Sequence, residues 1–466
     1  MIEAAEATLR DYRRSLEDEF ARRFPRSRAH HQRYGKALLD GTSHAMRWTP
    51  PFMPVAQRAA GPAIEDLDGH RILDYWQGHF TNILGHNPAP IREALVSALA
   101  EGRGLQSGMI HELEGEVAAT ICRMTGCQTL RFTTSGSLGT FYAAVLARAF
   151  TGRDRVLKVS GGWHGSQPFG LKGVSPRAGS FDHLESEGLS SKTADEVVLT
   201  RFNDVEDLRA TFRRSGDRIA CFLLEPILGA AGGLVASVEY LREARRLTER
   251  HGALLICDEI ITGFRIRPGD LTSLYGVAPD LLVLGKILGG GMPLAAVAGR
   301  HDLLALGSRD SARVKFEGGT YSAHELTLVA SRAMLSFLEE HADEVYGRLA
   351  RSGEMLRAGL ARVASEAGVP VHLLGAMPSG FPGSSLVYLH PARPDTAPPS
   401  CPEELAERRH PLVTERLLKS TLLLEDLSTR SGMGAVSTAH DGADLERTLA
   451  AMGAGLTRLK RAGLLS

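Results

Sequence analysis

The chain has 466 residues, of which 43% are hydrophobic and 23% charged, a composition typical of soluble globular proteins. Its 54 basic residues balance 54 acidic ones, so the net charge offers no basis for binding nucleic acid or an anionic membrane. The five cysteines are odd in number and lack CxxC spacing, which argues against a disulfide framework and a zinc cluster.

The N-terminal 40 residues are rich in alanine, leucine and oppositely charged pairs, which predicts a charged helical arm. Acidic residues from position 3 onward do not fit a signal peptide. A run of about 18 apolar residues, as a membrane span requires, is missing from the sequence. We therefore expect a cytoplasmic protein.

The next elements change from hairpin to helix and then to alternating strands and helices. Two short strand-like runs surround Asp68 and Gly69, a hairpin signal. Helical spacing of apolar residues follows between about 90 and 125. From about residue 130, short apolar runs alternate with amphipathic helices, which predicts βαβ units and a largely parallel sheet buried on both faces.

A serine- and glycine-rich turn follows the first of these strands, in the segment TTSGSLGT (133–140). Its residues Ser135, Gly136 and Ser137 precede a predicted helix. Backbone N–H groups at a helix start, with a nearby hydroxyl, suit a phosphate group. An ordinary strand-to-helix turn with a serine N-cap explains the same residues.

Two adjacent carboxylates, Asp258 and Glu259, end the apolar strand in LLICDEIITGFR (254–265). Ligands of parallel sheets gather beyond the carboxyl ends of strands, and a buried carboxylate needs a partner. A protonated ring nitrogen would serve as that partner. A metal ion, or a structural salt bridge such as one to Arg265, is the alternative.

Two further segments predict a pocket. In GGWHGSQ (161–167), Trp163 and His164 between glycines suit a flat ligand, although a packed aromatic loop is an equal alternative. In LLVLGKILGGGMP (281–293), Lys286 follows an apolar strand in a chain of only eight lysines. Such a lysine has a depressed pKa and attacks carbonyls, unless it extends to the surface as lysines usually do.

The segment FEGGTYS (316–322) contains Thr320 before a predicted helix. This threonine would contact a phosphate or cap the helix. No single motif decides between its alternatives, but their order along the chain is informative: a phosphate turn, a ring partner, a buried acid and a strand-end lysine.

This set resembles the class III (subgroup II) aminotransferases, and within them the glutamate-1-semialdehyde aminomutase-like branch. The likeness extends from about 50 to 300 and returns at STAHDGADLERTL. It implies an α/β protein of the PLP-dependent fold type I. The large domain would hold a mostly parallel seven-stranded sheet flanked by helices, and a smaller α+β domain would come from both termini. The expected segments are an arm (1–45), the N-terminal part of the small domain (46–95), the large PLP-binding domain (96–330) and the C-terminal small domain (331–466).

The resemblance also implies roles for single residues. Lys286 would form the Schiff base with pyridoxal 5'-phosphate (PLP), and Asp258 would bind the ring nitrogen. The remaining cofactor contacts would come from the phosphate turn, the ring faces and the neighbouring subunit: Ser135, Gly136 and Ser137, then Trp163, His164 and Ile260, and then Thr320. This last contact implies a homodimer.

Substrate contacts are implied for Glu225, Arg47 and Arg430. Arg47 lies in GTSHAMR (41–47), which aligns with a carboxylate-binding segment of the branch, and Arg430 lies in LSTRSGMG (427–434). A surface salt bridge is the alternative for both arginines, and it is favoured for Arg430. One departure from the family pattern is Leu138, which replaces a nearly standard glutamate.

The sequence therefore predicts a PLP-dependent aminotransferase that moves an amino group from a carboxylate-bearing amine to a keto acid or aldehyde through the pyridoxamine form (PMP), in specialised biosynthesis. The alternatives are an intramolecular aminomutase, an amino-acid racemase or epimerase, and a pseudoenzyme that binds PLP without turnover. No metal site is expected.

Overall fold

The computed structural model of the chain describes residues 2–106 and 108–465. Within these ranges the helices are α1 (Ile2–Arg23), α2 (Pro25–Tyr34), α3 (Gln77–Phe80), α4 (Ala89–Ala100), α5 (Glu112–Thr125), α6 (Gly136–Thr151), α7 (Ser191–Glu196), α8 (Val205–Ser215), α9 (Val238–His251), α10 (His301–Leu304), α11 (Glu325–Glu340), α12 (Ala342–Glu366), α13 (Pro402–Arg408), α14 (Glu415–Leu423) and α15 (Gly442–Arg461). Single 3₁₀ turns lie at Leu39–Gly41, Ala45–Arg47, Pro168–Gly170, Thr272–Tyr275, Lys286–Gly289 and Ala305–Gly307.

The strands are β1 (Ala56–Ala60), β2 (Ala63–Asp66), β3 (Arg71–Asp74), β4 (Thr129–Thr133), β5 (Arg155–Val159), β6 (Val197–Thr200), β7 (Ile219–Leu224), β8 (Ile227–Leu228), β9 (Leu234–Val235), β10 (Leu254–Glu259), β11 (Leu281–Leu284), β12 (Ala295–Gly299), β13 (Val371–Leu374), β14 (Leu386–Pro391), β15 (Leu427–Ser428) and β16 (Gly434–Ala435).

The central sheet has seven strands in the order β4-β12-β11-β10-β7-β5-β6. Strand β12 is antiparallel to both of its neighbours, while the pairs among β11, β10, β7, β5 and β6 are parallel. The predicted α/β fold with a mostly parallel seven-stranded sheet is confirmed. The hairpin around Asp68 and Gly69 is also confirmed, because β2 and β3 pair antiparallel across it.

Both faces of the central sheet are covered, as the apolar strands require. In β7, Cys221 and Leu223 pack in one core with α6, while Phe222 and Leu224 pack in the larger core on the other face. The alternation follows from the two-residue period of a strand. Because both faces are buried, most polar side chains of these strands lie at or next to the strand ends.

A second core combines the two ends of the chain. It contains Tyr12, Phe20 and Phe24 from the N-terminal helices together with side chains of α12, α14 and α15. The predicted N-terminal arm is therefore packed against C-terminal helices through its aromatic residues. The domain boundaries given above stay a prediction, which this separate core supports. None of the described helices combines the length needed to cross a bilayer with a sufficiently apolar sequence.

A close approach between β16 and the segment after β3 permits a test of this second unit. Gly434 has φ +136°, and a Cβ there would collide with the carbonyl oxygen of Tyr75. Gly126, which ends α5 at φ +71°, has open space around the same position. We expect Gly434→Ala to reduce the free energy of unfolding by about 3 kcal/mol or more. We expect Gly126→Ala to reduce it by about 1 kcal/mol, from backbone strain alone. Thermal unfolding of both variants measures the difference, and equal losses would contradict the predicted collision.

Candidate active site

Several of the predicted site residues come together at one edge of the central sheet. Strands β5, β7, β10 and β11 run parallel, so their carboxyl ends lie side by side. Glu225 follows β7, Asp258 lies near the end of β10, and Lys286 follows β11 by two residues. The loop that contains Trp163 and His164 follows β5. Crevices beyond the carboxyl ends of parallel strands are the usual ligand sites of such sheets.

The two adjacent carboxylates of β10 have separate environments. Asp258 accepts a hydrogen bond from Ile260 N at 3.2 Å and lies 2.8 Å from His164 Nδ1. Glu259 is fully buried and accepts from Leu271 N, Thr272 N and the hydroxyls of Thr262 and Thr272. Successive side chains of a strand point to opposite faces. Glu259 therefore fastens the loop beyond β10, and Asp258 remains on the side of Lys286.

Arg265 does not form the salt bridge that was the alternative for these carboxylates. It is buried, and it donates to the carbonyl oxygens of Ile261, at 2.7 Å, and Phe80. Arg265 thereby connects the end of β10 to the segment after β3. Its role in this structure is to join two parts of the backbone around the site.

His164 is an enclosed partner of Asp258. Its side chain is fully buried, and its Nε2 has no hydrogen-bond partner among the described residues. Burial lowers the pKa of His164, while its hydrogen bond to Asp258 and the charge of Asp258 oppose that shift. In the neutral form, Nδ1 must carry the proton to donate to Asp258. The histidine thus orients this carboxylate.

Lys286 starts the 3₁₀ turn Lys286–Gly289 and has φ +48°. That left-handed conformation is unfavourable for a residue with a side chain. Burial lowers its pKa to about 8, although the charges of Asp258 and Glu225 act in the opposite direction. Desolvation is therefore the larger effect, and about a tenth of the amine is neutral at pH 7.

Glu225 is buried beside these two groups. It accepts hydrogen bonds from Trp163 N at 2.8 Å and from Gly229 N at 3.3 Å. Burial, together with the charge of Asp258, raises the pKa of Glu225 to about 8. Glu225 is then largely protonated at neutral pH. Its contact to Trp163 N holds the aromatic loop at the pocket.

The Ser-Gly turn forms the start of α6. Ser135 is the N-cap, and its hydroxyl accepts from Leu138 N at 3.3 Å. A Cβ on Gly136 would collide with the side chain of Ile260, so glycine permits the turn to lie against the end of β10. Ser137 Oγ accepts from Ser166 N at 3.2 Å, which joins the turn to the aromatic loop. A helix start in this position suits an anionic group.

The aromatic loop is also held by a buried lysine that sequence reasoning missed. Lys158, at the end of β5, donates to the carbonyl oxygens of Gly162, Gly170 and Lys172 at 2.8, 3.1 and 2.8 Å. Burial lowers the pKa of Lys158 to about 7. These carbonyls lie before and after Trp163 and His164 in the chain, so Lys158 connects the two sides of their loop. In the sequence, only a lysine inside an apolar strand marked this position.

Thr320 lies away from the interior of its own chain. It is exposed, and its carbonyl oxygen accepts from Gln106 Nε2 at 3.1 Å. The adjacent Gly318 and Gly319 pack against residues 132–134, and Thr134 N donates to Gly318 O at 3.1 Å. The loop therefore borders the strand that leads into the Ser-Gly turn, while Thr320 faces outward.

The two predicted substrate arginines differ in their partners. Arg430 forms an ion pair with Glu415, which also accepts from Ser431 N. Arg47 donates from Nε to His79 Nε2 at 3.4 Å. Among the described residues, no carboxylate pairs with Arg47. The salt-bridge alternative thus describes Arg430, whereas the terminal nitrogens of Arg47 are available.

His79 is a second residue that the sequence analysis missed. It belongs to YWQGHF, an aromatic, glycine and histidine cluster after β3. A similar composition in GGWHGSQ pointed to Trp163, so the composition of YWQGHF could have indicated a functional histidine in the same way. The strand pattern that precedes YWQGHF obscured it.

Comparison with known proteins is consistent with this arrangement. Residues 45–379, most of the chain, match the family described as aminotransferase class III. The chain belongs to the class III aminotransferases. The resemblance inferred from the motifs is therefore confirmed, and members of this family are PLP-dependent enzymes.

Curated relatives and solved structures extend the likeness over the chain. A glutamate-1-semialdehyde 2,1-aminomutase of Rhodopirellula baltica is 35% identical over 352 residues, covering 74% of this chain and 78% of that protein. The enzyme of the same name from Methanosphaera stadtmanae is 31% identical over 425 residues, covering 91% and 96%. A β-phenylalanine aminotransferase from Variovorax paradoxus has a TM-score of 0.83 and 28% identity, with 99% of each chain covered.

The donor set of this chain fits PLP. An anionic phosphate suits the start of α6, where glycine leaves no Cβ between the turn and Ile260. A protonated ring nitrogen suits the buried Asp258, and an aldehyde suits the desolvated amine of Lys286. The groups also converge from separate strands on one edge of the sheet, as a cofactor of this size requires.

The pKa of Lys286 leads to a pH prediction. Only the neutral amine attacks an aldehyde, so its rate rises as pH rises through the pKa. We expect the rate at which cofactor-free protein takes up PLP covalently to increase with a midpoint near the pKa of about 8. Borohydride trapping followed by mass spectrometry locates and times the modification, and Lys286→Ala should take up none. A midpoint near the ordinary lysine pKa of about 10.4 would contradict the predicted desolvation.

Proposed function

We propose that the chain is a PLP-dependent aminotransferase that moves an amino group between a carboxylate-bearing amine and a keto acid or aldehyde. The observation that carries this proposal is the convergence of Lys286, Asp258 and the start of α6 at one edge of the sheet, with the available guanidinium of Arg47. A role in specialised biosynthesis is part of the proposal, because Leu138 departs from the family pattern.

Each cofactor contact follows from the position of its residue. The N–H groups of Gly136 and Ser137 and the hydroxyl of Ser137 would hold the phosphate. Asp258, oriented by His164 at 2.8 Å, would hold the ring nitrogen. Trp163 and Ile260 would cover the two faces of the ring, and Lys286 would bind the aldehyde carbon through its amine.

When bound, PLP supplies an electron sink that makes the hydrogen on the amine-bearing carbon of the substrate acidic. Lys286 Nζ would accept that proton as a general base and later return a proton as a general acid. Its pKa of about 8 suits both directions near neutral pH. Asp258 would keep its contact to His164, and Glu225 would remain protonated and keep the aromatic loop in place.

Arg47 would bind the substrate carboxylate. A guanidinium forms two parallel hydrogen bonds with a carboxylate, and the terminal nitrogens of Arg47 are available for them. Arg430 would compete less well, because Glu415 already neutralises it. If Glu415 moves away, Arg430 would serve a second carboxylate.

An intramolecular aminomutase is the second candidate function. The relatives from Rhodopirellula baltica and Methanosphaera stadtmanae have that name, which favours it. Both reactions use a lysine base and a ring-nitrogen partner. The two differ in whether the amino group leaves the enzyme with a second substrate.

Dependence on an amino acceptor separates these functions. We expect a reactive amine to convert the bound PLP to PMP once and then stop, and an added keto acid to restart turnover. Absorbance spectra during a screen of amino acids and amines measure both stages. We expect Lys286→Ala to lose about 10³-fold or more in turnover, because the proton-transferring group is missing.

Other results of the same experiments would support the alternative functions or overturn the assignment of the site. Steady isomerisation of one substrate without an acceptor would support the aminomutase, and exchange of the α-hydrogen alone would indicate a racemase or epimerase. Purified protein that binds no PLP would overturn the assignment of the site. PLP binding without reaction toward any amine would indicate a pseudoenzyme.

We propose that the active form is a homodimer in which Thr320 contacts the cofactor of the neighbouring subunit. Gln106 donates to the carbonyl oxygen of Thr320, and exposed apolar side chains lie on either side of Gln106 in the chain: Leu105 is 84% and Ile110 87% exposed. Tyr321, the next residue after Thr320, is also exposed. Large apolar surfaces of this kind are typical of an interface between subunits. The exposed position of Thr320 is compatible with a contact outside its own chain.

A charged residue introduced among these exposed apolar side chains tests the proposed dimer. We expect Ile110→Asp to shift the protein from dimer to monomer, because the charge would be buried between subunits, and to weaken PLP binding. Light scattering and PLP titration measure the two effects. Met355→Asp, at an exposed apolar residue of α12, is the control and should change neither. A fully active wild-type monomer would overturn the proposal.

The cytoplasm is the proposed location. All five cysteines are free, and Cys221 and Cys257 are buried in strands. Unpaired thiols are typical of a reducing compartment.

A further inference from the structure

The segment after β3 forms an unusual left-handed turn. Gln77, Gly78, His79 and Phe80 have φ values of 50°, 58°, 62° and 69°. Consecutive left-handed residues are unfavourable for L-amino acids, and glycine relieves only one of these positions. Such strain persists only where surrounding contacts hold it, and it is typical of functional sites.

Buried hydrogen bonds hold both ends of the turn. The carboxylate of Asp74 accepts from Trp76 N at 3.1 Å and from Gln77 N at 2.9 Å. At the other end, Arg265 donates to the carbonyl oxygen of Phe80. Both ends are thus fixed to the core, and His79 lies near the apex.

Ring contacts restrict the imidazole of His79 from two sides. Its centroid lies 4.4 Å from the ring of Trp76 and 4.8 Å from that of His44. The ammonium of Lys419, a buried residue of α14, lies 3.9 Å above the ring of Trp76. The imidazole therefore has a defined position between the N-terminal segment and the C-terminal helix.

In that position, His79 Nε2 lies 3.4 Å from Arg47 Nε. Burial, together with the positive charges of His44, Arg47, Lys286 and Arg430, lowers the pKa of His79 to about 3. A neutral imidazole has one acceptor nitrogen, and here Nε2 must be that acceptor because Arg47 Nε–H donates. His79 can therefore hold Arg47 without competing with it for an anion.

Arg47 and His79 border a cavity that is large enough for a small ligand. The cavity has a volume of about 530 Å³, and its lining includes Arg47, Trp76, His79 and Gly291, which follows the turn of Lys286. No described residue accepts a hydrogen bond from the terminal nitrogens of Arg47. A guanidinium held at Nε has both terminal nitrogens available for one carboxylate.

We propose that His79 is a positioning residue that holds Arg47 by its Nε and so determines the preference of this site for carboxylate-bearing substrates. This inference rests on the proposed function, in which Arg47 binds the substrate carboxylate. His79 does not itself contact the carboxylate. Its effect is transmitted through Arg47 alone, and that restriction makes the inference testable by a double-mutant cycle.

The first variants remove and restore the acceptor. In His79→Asn, the side chain is too short to reach Arg47, while asparagine tolerates the left-handed backbone. In His79→Gln, an amide oxygen takes a position similar to that of Nε2. The third variant is Arg47→Gln, and the fourth combines it with His79→Asn. Thermal unfolding and PLP absorbance of the loaded proteins establish that each variant folds and binds the cofactor.

Binding of an unreactive carboxylate is the main readout. Calorimetry on the PLP-loaded proteins with propionate, and with propionamide as the uncharged comparison, measures affinity without turnover. We expect His79→Asn to weaken propionate binding about 10-fold, and His79→Gln to recover most of the loss. We expect Arg47→Gln to weaken it at least as much, and the double variant to bind no more weakly than Arg47→Gln alone. Propionamide should bind equally to all variants.

Kinetics supply a second readout. For a substrate pair that differs only in its carboxylate, His79→Asn should raise KM for the carboxylated amine and leave kcat/KM for the other amine within about 2-fold. Equal losses with both amines, or a full additional loss in the double variant, would overturn the inference. An effect of Arg47→Gln without one of His79→Asn would refute the role of His79 and preserve that of Arg47. If Arg47→Gln also has no effect on propionate, the proposed carboxylate site is wrong as well.

Discussion

In the central sheet, β5, β7, β10 and β11 run in one direction, so that their carboxyl ends meet. Because both faces of the sheet are buried, these ends are the places where the strands can present polar side chains. The sheet thus concentrates Glu225, Asp258 and Lys286 in a small, poorly solvated region. The loop that contains Trp163 and His164 contacts this edge through Glu225 and Asp258.

Poor solvation determines the electrostatics of that region. Burial is the largest cause of the raised pKa of Glu225 and also of the lowered pKa of Lys286. Both pKa values are about 8. In each group, burial favours the neutral form over the charged one. Asp258 is the neighbour with a fixed hydrogen-bond partner, His164. A lysine whose pKa is lowered by burial is activated for attack on a carbonyl.

Packing from the two ends of the chain completes the pocket. The second core joins α1 and α2 to the C-terminal helices. The charges of Arg47 and Arg430 both act on His79. One arginine has a carboxylate partner, and the other has a neutral histidine. That difference in partner, rather than the presence of arginine, distinguishes a structural ion pair from an available anion site.

Local pattern was enough to predict the alternating strands and helices and the hairpin, and the resemblance to the family supplied the roles expected of Lys286 and Asp258. These features depend on side chains close together in sequence, and on the rule that strand ends meet at one edge of a sheet. His79 and Lys158 were missed because their importance comes from distant partners: Arg47 in one case, and three carbonyls of a loop in the other. The sequence by itself determined the family and the fold, and it predicted a lysine and a carboxylate for the site. Only the tertiary structure decided which carboxylate faces the lysine and which arginine is available, because burial and long-range pairing determine both.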